Sequence, residues 1–436
     1  MDSAATAALH PRGMTPFQLA ALFLTLVAVV GWLNVRLLRL PTGVAMLAAG
    51  LVGAFCLYAA RALGLEAASG AVRLISLVDF PQTVVGYMLA FLLFAGAMQV
   101  DLKELRRRRI AVWTLATLGV LASTALVGGG VWLAARVLGL DLPLLWALVF
   151  GALISPTDPV AVLSTVRHGN LSARLKAVLQ GEALFNDGVG IVVFLALAAL
   201  AAGGHAGAAD AAISVVVKSG GGLIFGLVAS YLAVAAMRAI DDYAVEVSVS
   251  LALALGVYAA ADALKLSGPI AVVAAGLLMG ELGMGAAMSD TTQRYVRAFW
   301  TLIDEILNAL LFLLLGLELL VLPVDPKSAG LSLIAIPLVL IVRLATVFPW
   351  GAYFHFRLAE RGASLILAWG GLRGALCLAL ALGSPPSIYK PLILTVTYAV
   401  VVFSVAVQGL TFAPLVAALN RVRSKPDRKG VPADAG

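Results

Sequence analysis

Gly151-Ala152-Leu153-Ile154-Ser155-Pro156-Thr157-Asp158-Pro159 interrupts an apolar run that extends from about residue 142 to residue 166. A helix needs about 20 mostly apolar residues to cross the hydrocarbon core of a bilayer, and this run is long enough. Its two prolines, three positions apart, remove backbone donors and clash with the preceding turn, so a break at mid-membrane is predicted. The break carries Thr157 and Asp158. With carbonyls freed from the helix ladder, their oxygens would make a hard-oxygen site for a small cation. A charged side chain at a helix centre costs about 2.5–3.5 kcal/mol on insertion scales, so Asp158 is read first as functional.

The next apolar run holds a second expensive stretch, Gly181-Glu182-Ala183-Leu184-Phe185-Asn186-Asp187-Gly188. Residues four apart share a helix face, which puts Ala183 over Asp187 and Glu182 over Asn186. Two buried carboxylates this close cannot both stay charged without partners. One solution pairs Glu182 with an arginine and leaves Asp187 to titrate. Two arginines lie inside apolar runs: Arg343 in Ile341-Val342-Arg343-Leu344-Ala345-Thr346, and Arg373 in Trp369-Gly370-Gly371-Leu372-Arg373-Gly374. Guanidinium stays protonated, so each demands an acid or several carbonyls. Both meet the need of Glu182.

Around these stretches the chain is apolar. Of 436 residues, 62% are hydrophobic and 12% charged, and the mean hydropathy is +1.02. A water-soluble domain carries about 25% charged residues, so this composition excludes one and requires lipid over most of the surface. The fold class is an all-α polytopic membrane protein. Thirteen spans are predicted, near 15–35, 42–60, 80–100, 110–135, 142–166, 176–202, 211–237, 243–263, 267–283, 299–322, 329–356, 362–383 and 390–419. They make residues 1–420 a single transmembrane domain, followed by a short basic tail over 421–436.

Charge sets the orientation. Twenty of the thirty basic residues fall in the loops after odd-numbered spans and in the C-terminal tail, against seven in the N-terminal tail and the other loops. Lys and Arg crowd cytoplasmic loops, which places the C-terminus in the cytoplasm and the N-terminus outside, in a cell (inner) membrane protein. The net charge of +7 reflects this bias rather than nucleic-acid binding. The Arg106–Arg109 run is read as a topology anchor that also touches anionic membrane lipid. Cys56 and Cys377 lie in apolar runs and the four histidines are scattered, so no disulfide framework, resident metal or nucleophile–histidine set is visible. Neither an enzyme nor a bound cofactor is expected. Glu246, Asp262, Asp304, Glu305 and Glu318 lie near span ends or beside breaks and are read as solvated or interfacial charges.

The interruptions near 155–159 and 370–374 are seven spans apart. An odd offset gives them opposite orientations. Paired Gly/Pro-broken segments in two halves point to inverted repeats whose crossing helices meet at mid-membrane.

With Ser155–Pro159, Gly181–Gly188, Arg343 and Gly370–Gly374 in this order, the chain resembles the NhaP-type sodium/proton antiporters. These form the electroneutral branch of the monovalent cation/proton antiporters, related to the sodium/hydrogen exchangers. Ser267-Gly268-Pro269-Ile270-Ala271-Val272-Val273-Ala274-Ala275-Gly276 and Asn308-Ala309-Leu310-Leu311-Phe312-Leu313-Leu314-Leu315-Gly316 add to the match. The resemblance implies that Asp187 binds either the cation or the proton, with Thr157 and Asp158 as ligands on the unwound helix. It implies that Glu182 and Asn186 form a structural pair held by Arg343, and that Arg373 is a second required arginine. It further implies a homodimer. A core bundle, about 110–202 and 329–419, would move against a dimerisation bundle made of the remaining spans. The implied activity is exchange of one Na+ or Li+ for one proton by alternating access, with both competing for Asp187, in the service of pH homeostasis. Potassium/proton exchange on the same scaffold is the alternative, and a cation channel a distant one, since no repeated filter segment is present. One departure stands out: many relatives carry Ser where this chain has Ala183, so one oxygen ligand is missing.

Overall fold

A computed structural model describes residues 16–64, 88–100, 102–158, 171–203, 208–318, 326–358, 360 and 362–423. Within these residues the chain is helical. Ten helices are long and apolar enough to cross a membrane, and two shorter apolar ones are Leu89–Met98 and Leu144–Leu153. The first elements are α1 (Pro16–Leu33), α2 (Thr42–Ala62), α3 (Leu89–Met98) and the short α4 (Leu102–Arg107). Then come α5 (Arg109–Val137), α6 (Leu144–Leu153), α7 (Ala173–Ala201), α8 (Ala208–Met237), α9 (Tyr243–Ala263) and α10 (Gly268–Leu278). The chain ends with α11 (Asp290–Leu317), α12 (Pro326–Leu358), α13 (Ala363–Trp369), α14 (Ala375–Leu382) and α15 (Lys390–Arg421).

Short polar side chains start several of these helices, because the first turn leaves backbone N–H groups unpaired. Ser172, Ser267 and Ser289 accept from Leu175, Ile270 and Thr292 N–H, and Asp242 accepts from both Ala244 and Val245. Large apolar side chains point outward from many helices, among them Val52, Phe55, Leu121, Ile224 and Leu333. Water would penalise that surface and lipid does not. The protein is a multi-pass membrane protein.

Two sets of helices pack most closely within themselves. In one, α5 lies on α6 and α12, α6 on α7, and α12 on α13 and α15, with α14 against α15 and α6. In the other, α2 pairs with α11 and α8 with α10, while α3 and α9 pack on α10. Buried Phe150, Phe354 and Phe412 fill the first set, and Phe94, Trp300 and Phe312 the second.

The span expected over 142–166 is a helix only to Leu153 and then runs extended to Asp158; Pro159 and the remainder lie outside the described residues. The span over 362–383 is two helices, α13 and α14, separated by Gly370–Gly374. The two breaks meet in an isolated antiparallel bridge between Asp158 and Leu372. The predicted span over 80–100 is described from residue 88 onward, and most of the basic tail lies outside the described residues.

Candidate cation and proton site

Pro156 lacks a backbone donor and disfavours helical geometry at Ser155, so α6 stops just before the pair. The Ser155 hydroxyl turns back to the Gly151 carbonyl at 2.6 Å. The other polar groups of the break find partners from across the fold. Arg373 Nη1 donates to the Ser155 and Pro156 carbonyls at 2.7 and 3.0 Å. Asn186 Nδ2 donates to Thr157 Oγ1 at 2.8 Å, and its Oδ1 accepts from Thr157 N–H at 3.4 Å. Asp158 N–H donates to the Leu372 carbonyl at 2.8 Å. Backbone inside a bilayer is tolerated off the helix only where such partners exist.

The second break is stitched in the same way. Arg343 Nη2 donates to the Leu367 carbonyl at 3.0 Å, and Gln408 Nε2 to that of Trp369 at 3.4 Å. Arg373 N–H donates to Ser404 Oγ at 2.8 Å, and Ser404 in turn donates to Gln408 Oε1 at 2.6 Å. Ser404–Gln408 is a π turn inside α15, and its two polar side chains reach the break. Sequence reasoning missed this polar pair. Its signal was there: a Ser and a Gln four apart in an otherwise apolar span.

Two glycines let the crossing close. A Cβ on Gly371 would overlap the Arg343 guanidinium, which lies across that residue. A Cβ on Gly374 would sit 2.8 Å from both Asp158 Cβ and Oδ2. The Asp158 side chain therefore rests at the start of α14, where the partial positive charge of a helix N-terminus favours an anion.

Glu182 and Arg343 form a two-pronged ion pair, Nη1 with Oε1 and Nη2 with Oε2, the latter at 2.9 Å; both side chains are buried. Arg373 takes carbonyls instead, so Glu182 has Arg343 as its partner and not Arg373. Asp187 lies midway along α7 and is half-buried. Among the described residues none gives its carboxylate a hydrogen bond or an ion pair, while the charge of Asp158 acts on it. The structure thus brings Thr157, Asp158, Glu182, Asn186, Asp187, Arg343 and Arg373 into one crossing. One acid, Glu182, is neutralised by an arginine, and Asp187 lies where the charge of Asp158 reaches it. Ala183 is buried on α7 one turn before Asp187.

Two of the charges read as solvated or interfacial are not. Glu246, in the first turn of α9, is 0% exposed, and Glu318, at the end of α11, is 9% exposed. Position near a span end misled here, because neighbouring helices cover both ends. Asp262 and Glu305 are exposed, and half-buried Asp304 accepts from Asn308 Nδ2 at 2.9 Å.

Interrupted helices of opposite direction, crossing at a pair of carboxylates, define a secondary transporter of the inverted-repeat kind. Residues 23–418 match the transmembrane sodium/hydrogen exchanger family, and the chain belongs to that family. It is 42% identical over 405 residues to the Na+/H+ antiporter NhaP of Pseudomonas aeruginosa, covering 91% of this chain and 96% of that one. It is 34% identical over 348 residues to the Na+/H+ antiporter NhaH of Halobacillus dabanensis, covering 79% and 84%. The fold is similar to that of the sodium proton antiporter MjNhaP1 of Methanocaldococcus jannaschii at pH 8, with a TM-score of 0.69 over 92% of this chain and 98% of that one, at 21% identity.

Proposed function

We propose that the protein exchanges Na+ or Li+ for a proton, one for one, by alternating access, with cation and proton competing for Asp187. The observation that carries this reading is the Asp187 carboxylate, which is half-buried, beside Asp158 and bonded by none of the described residues. A carboxylate in that setting is stabilised by a proton or by a metal cation. Thr157 and Asp158 supply further oxygens, and hard monovalent cations take oxygen ligands. Asn186, engaged by Thr157, leaves one titrating acid on α7, which suits one proton per cation. Glu182, Asn186, Arg343 and Arg373 hold the crossing and do not themselves carry ions.

The two closely packed sets of helices support a reading in which one moves against the other. The helices around the crossing form the mobile core, the set built on α2, α8, α10 and α11 forms the dimerisation bundle, and two copies assemble in the membrane. The N-terminus lies outside and the C-terminus in the cytoplasm. Potassium/proton exchange is the second reading, favoured by Ala183, because a site short of one oxygen discriminates less in favour of the smaller ions.

Proton flux in proteoliposomes under opposed Na+, Li+ or K+ gradients tests both readings. Asp187→Asn should abolish flux driven by every cation while leaving a folded protein. Retained cation-dependent flux in that variant would overturn the assignment of Asp187.

A further inference from the structure

The two arginines of the crossing leave two donors over. Arg343 gives its Nη groups to Glu182 and the Leu367 carbonyl, and Arg373 gives Nη1 to the Ser155 and Pro156 carbonyls. Their Nε–H groups are both buried and have no partner among the described residues. A guanidinium carries donors only and stays charged, so no shift of protonation relieves the want of an acceptor. Arg343 at least has the Glu182 carboxylate. Arg373, 2% exposed, forms no ion pair among the described residues.

Both arginines line one small cavity between α12, the second break and α15. Gly371 forms part of the same wall, and a Cβ there would overlap Arg343 Nε. Gln408 is the third polar side chain of the lining. Its Oε1 is engaged by Ser404, and its Nε2 keeps a second proton beyond the one given to Trp369. The other side chains around the cavity are apolar. The lining is therefore rich in donors and poor in acceptors. A water molecule placed here would accept from the arginines and turn its own protons toward apolar wall, whereas an anion accepts and has no proton to place. The space is about that of one water-sized particle, which favours a monatomic ion. Half-buried Leu340 and Phe403 belong to its wall and can yield to an ion somewhat larger than water.

We propose that this cavity binds a halide ion such as chloride, held between the Nε–H groups of Arg343 and Arg373. A buried charge left unpaired is costly, and the halide gives Arg373 the counter-charge that no described side chain supplies. The bound ion fastens α12 and α15 to the second break from the side away from Glu182. The inference goes beyond the exchange reading and does not depend on it, since no transported ion takes part.

The test uses the full chain in detergent, unfolded thermally in choline chloride, choline bromide or choline gluconate at equal ionic strength, so that no metal cation varies. A ligand that binds only the folded state raises the melting temperature. Wild type should melt several degrees higher in chloride and in bromide than in gluconate, with a rise that saturates. Val400→Leu, which adds bulk to the cavity wall and removes no donor, should lose most of that rise. Equal melting in the three salts would overturn the proposal. Crystals of wild type grown in bromide decide the matter without any variant: an anomalous peak within hydrogen-bond distance of both Nε atoms is expected. Density there without anomalous signal would mean water and would overturn the anion, and a halide-dependent rise with no peak there would overturn the placement. None of these measurements reads exchange, so their failure leaves that reading standing, and loss of exchange leaves this one standing.

Discussion

At the α2–α11 contact, two unbroken helices approach until a Cβ on Gly316 would lie 2.6 Å from the Leu47 carbonyl and 2.7 Å from Gly50 Cα. At the crossing, the approach is as close but the helices are broken, and side chains occupy the gap between them. Helix pairs of the first kind keep their hydrogen bonds internal and need only small residues to come together. The second kind releases carbonyls and N–H groups that must be bonded again. Arg373, Asn186, Ser404, Gln408 and Arg343 all serve that end. Close packing alone makes a rigid rod. Close packing with a broken ladder makes a polar chamber in which a carboxylate can be left without a bond from any described residue, as Asp187 is.

The comparison breaks most sharply at the Glu182–Arg343 pair, because the α2–α11 contact is made by backbone and small residues instead. Removing one partner of a buried ion pair costs about 3–5 kcal/mol, since the other is stranded. Glu182→Ala and Arg343→Ala should each melt well below wild type, and the double variant should lose less than the sum of the two. Additive losses, measured by thermal unfolding in detergent, would mean that the pair acts as two independent residues. Arg373 would not substitute, because its guanidinium is held by the carbonyls of Ser155 and Pro156.

Glycine-to-alanine changes sharpen the contrast at the next level of effect. Overpacking a well-packed site costs about 1–3 kcal/mol. Gly316→Ala should lower the melting temperature by pushing α2 from α11, with no change in the apparent cation constant. Gly371→Ala should lower it by a similar amount and also impair exchange, because the displaced group is Arg343. At Gly129, in α5, a Cβ would meet nothing within 4 Å, so alanine there should be neutral or stabilising by up to about 1 kcal/mol. A cation constant shifted by Gly316→Ala and left alone by Gly371→Ala would invert the picture.

The sequence showed the membrane class and both breaks plainly, because proline, glycine and buried charge are local signals. Thr157, Asp158, Asn186 and Asp187 were legible for the same reason: each is polar where lipid or core should be. The partner of Glu182 was not legible in the residues themselves, since Arg343 and Arg373 are equally improbable in an apolar run; the family resemblance implied Arg343, and the fold shows the carboxylate facing it. Ser404 and Gln408 escaped because uncharged polar residues cost little at insertion and so stand out weakly. Glu246 and Glu318 were misread as interfacial because nearness to a span end says nothing of what covers that end. Long-range packing decides that, and no local pattern encodes it.

Ala183→Ser carries the smallest expected effect and tests the proposed role of Asp187 as the shared site for cation and proton. Residue 183 is buried one turn before Asp187 on α7, so a hydroxyl there would be presented to the same side. On the proposed reading a cation binds only the ionised carboxylate of Asp187, so its apparent affinity should fall as pH drops and protons take the site. The added hydroxyl would ligate the bound ion and do nothing comparable for the protonated acid, so its benefit should be greatest at high pH. Hydrogen bonds to charged groups contribute about 1.5–3 kcal/mol, and a ligand that replaces water gives less. A gain of a few-fold in apparent affinity for Na+ or Li+ is expected, with less change for K+, whose larger radius takes oxygens at longer range. Proton flux measured against cation concentration across the pH range checks this. Constants unchanged for every cation at every pH would mean that residue 183 does not face the ion, and the cation would then have to sit nearer Thr157 and Asp158 than the middle of α7.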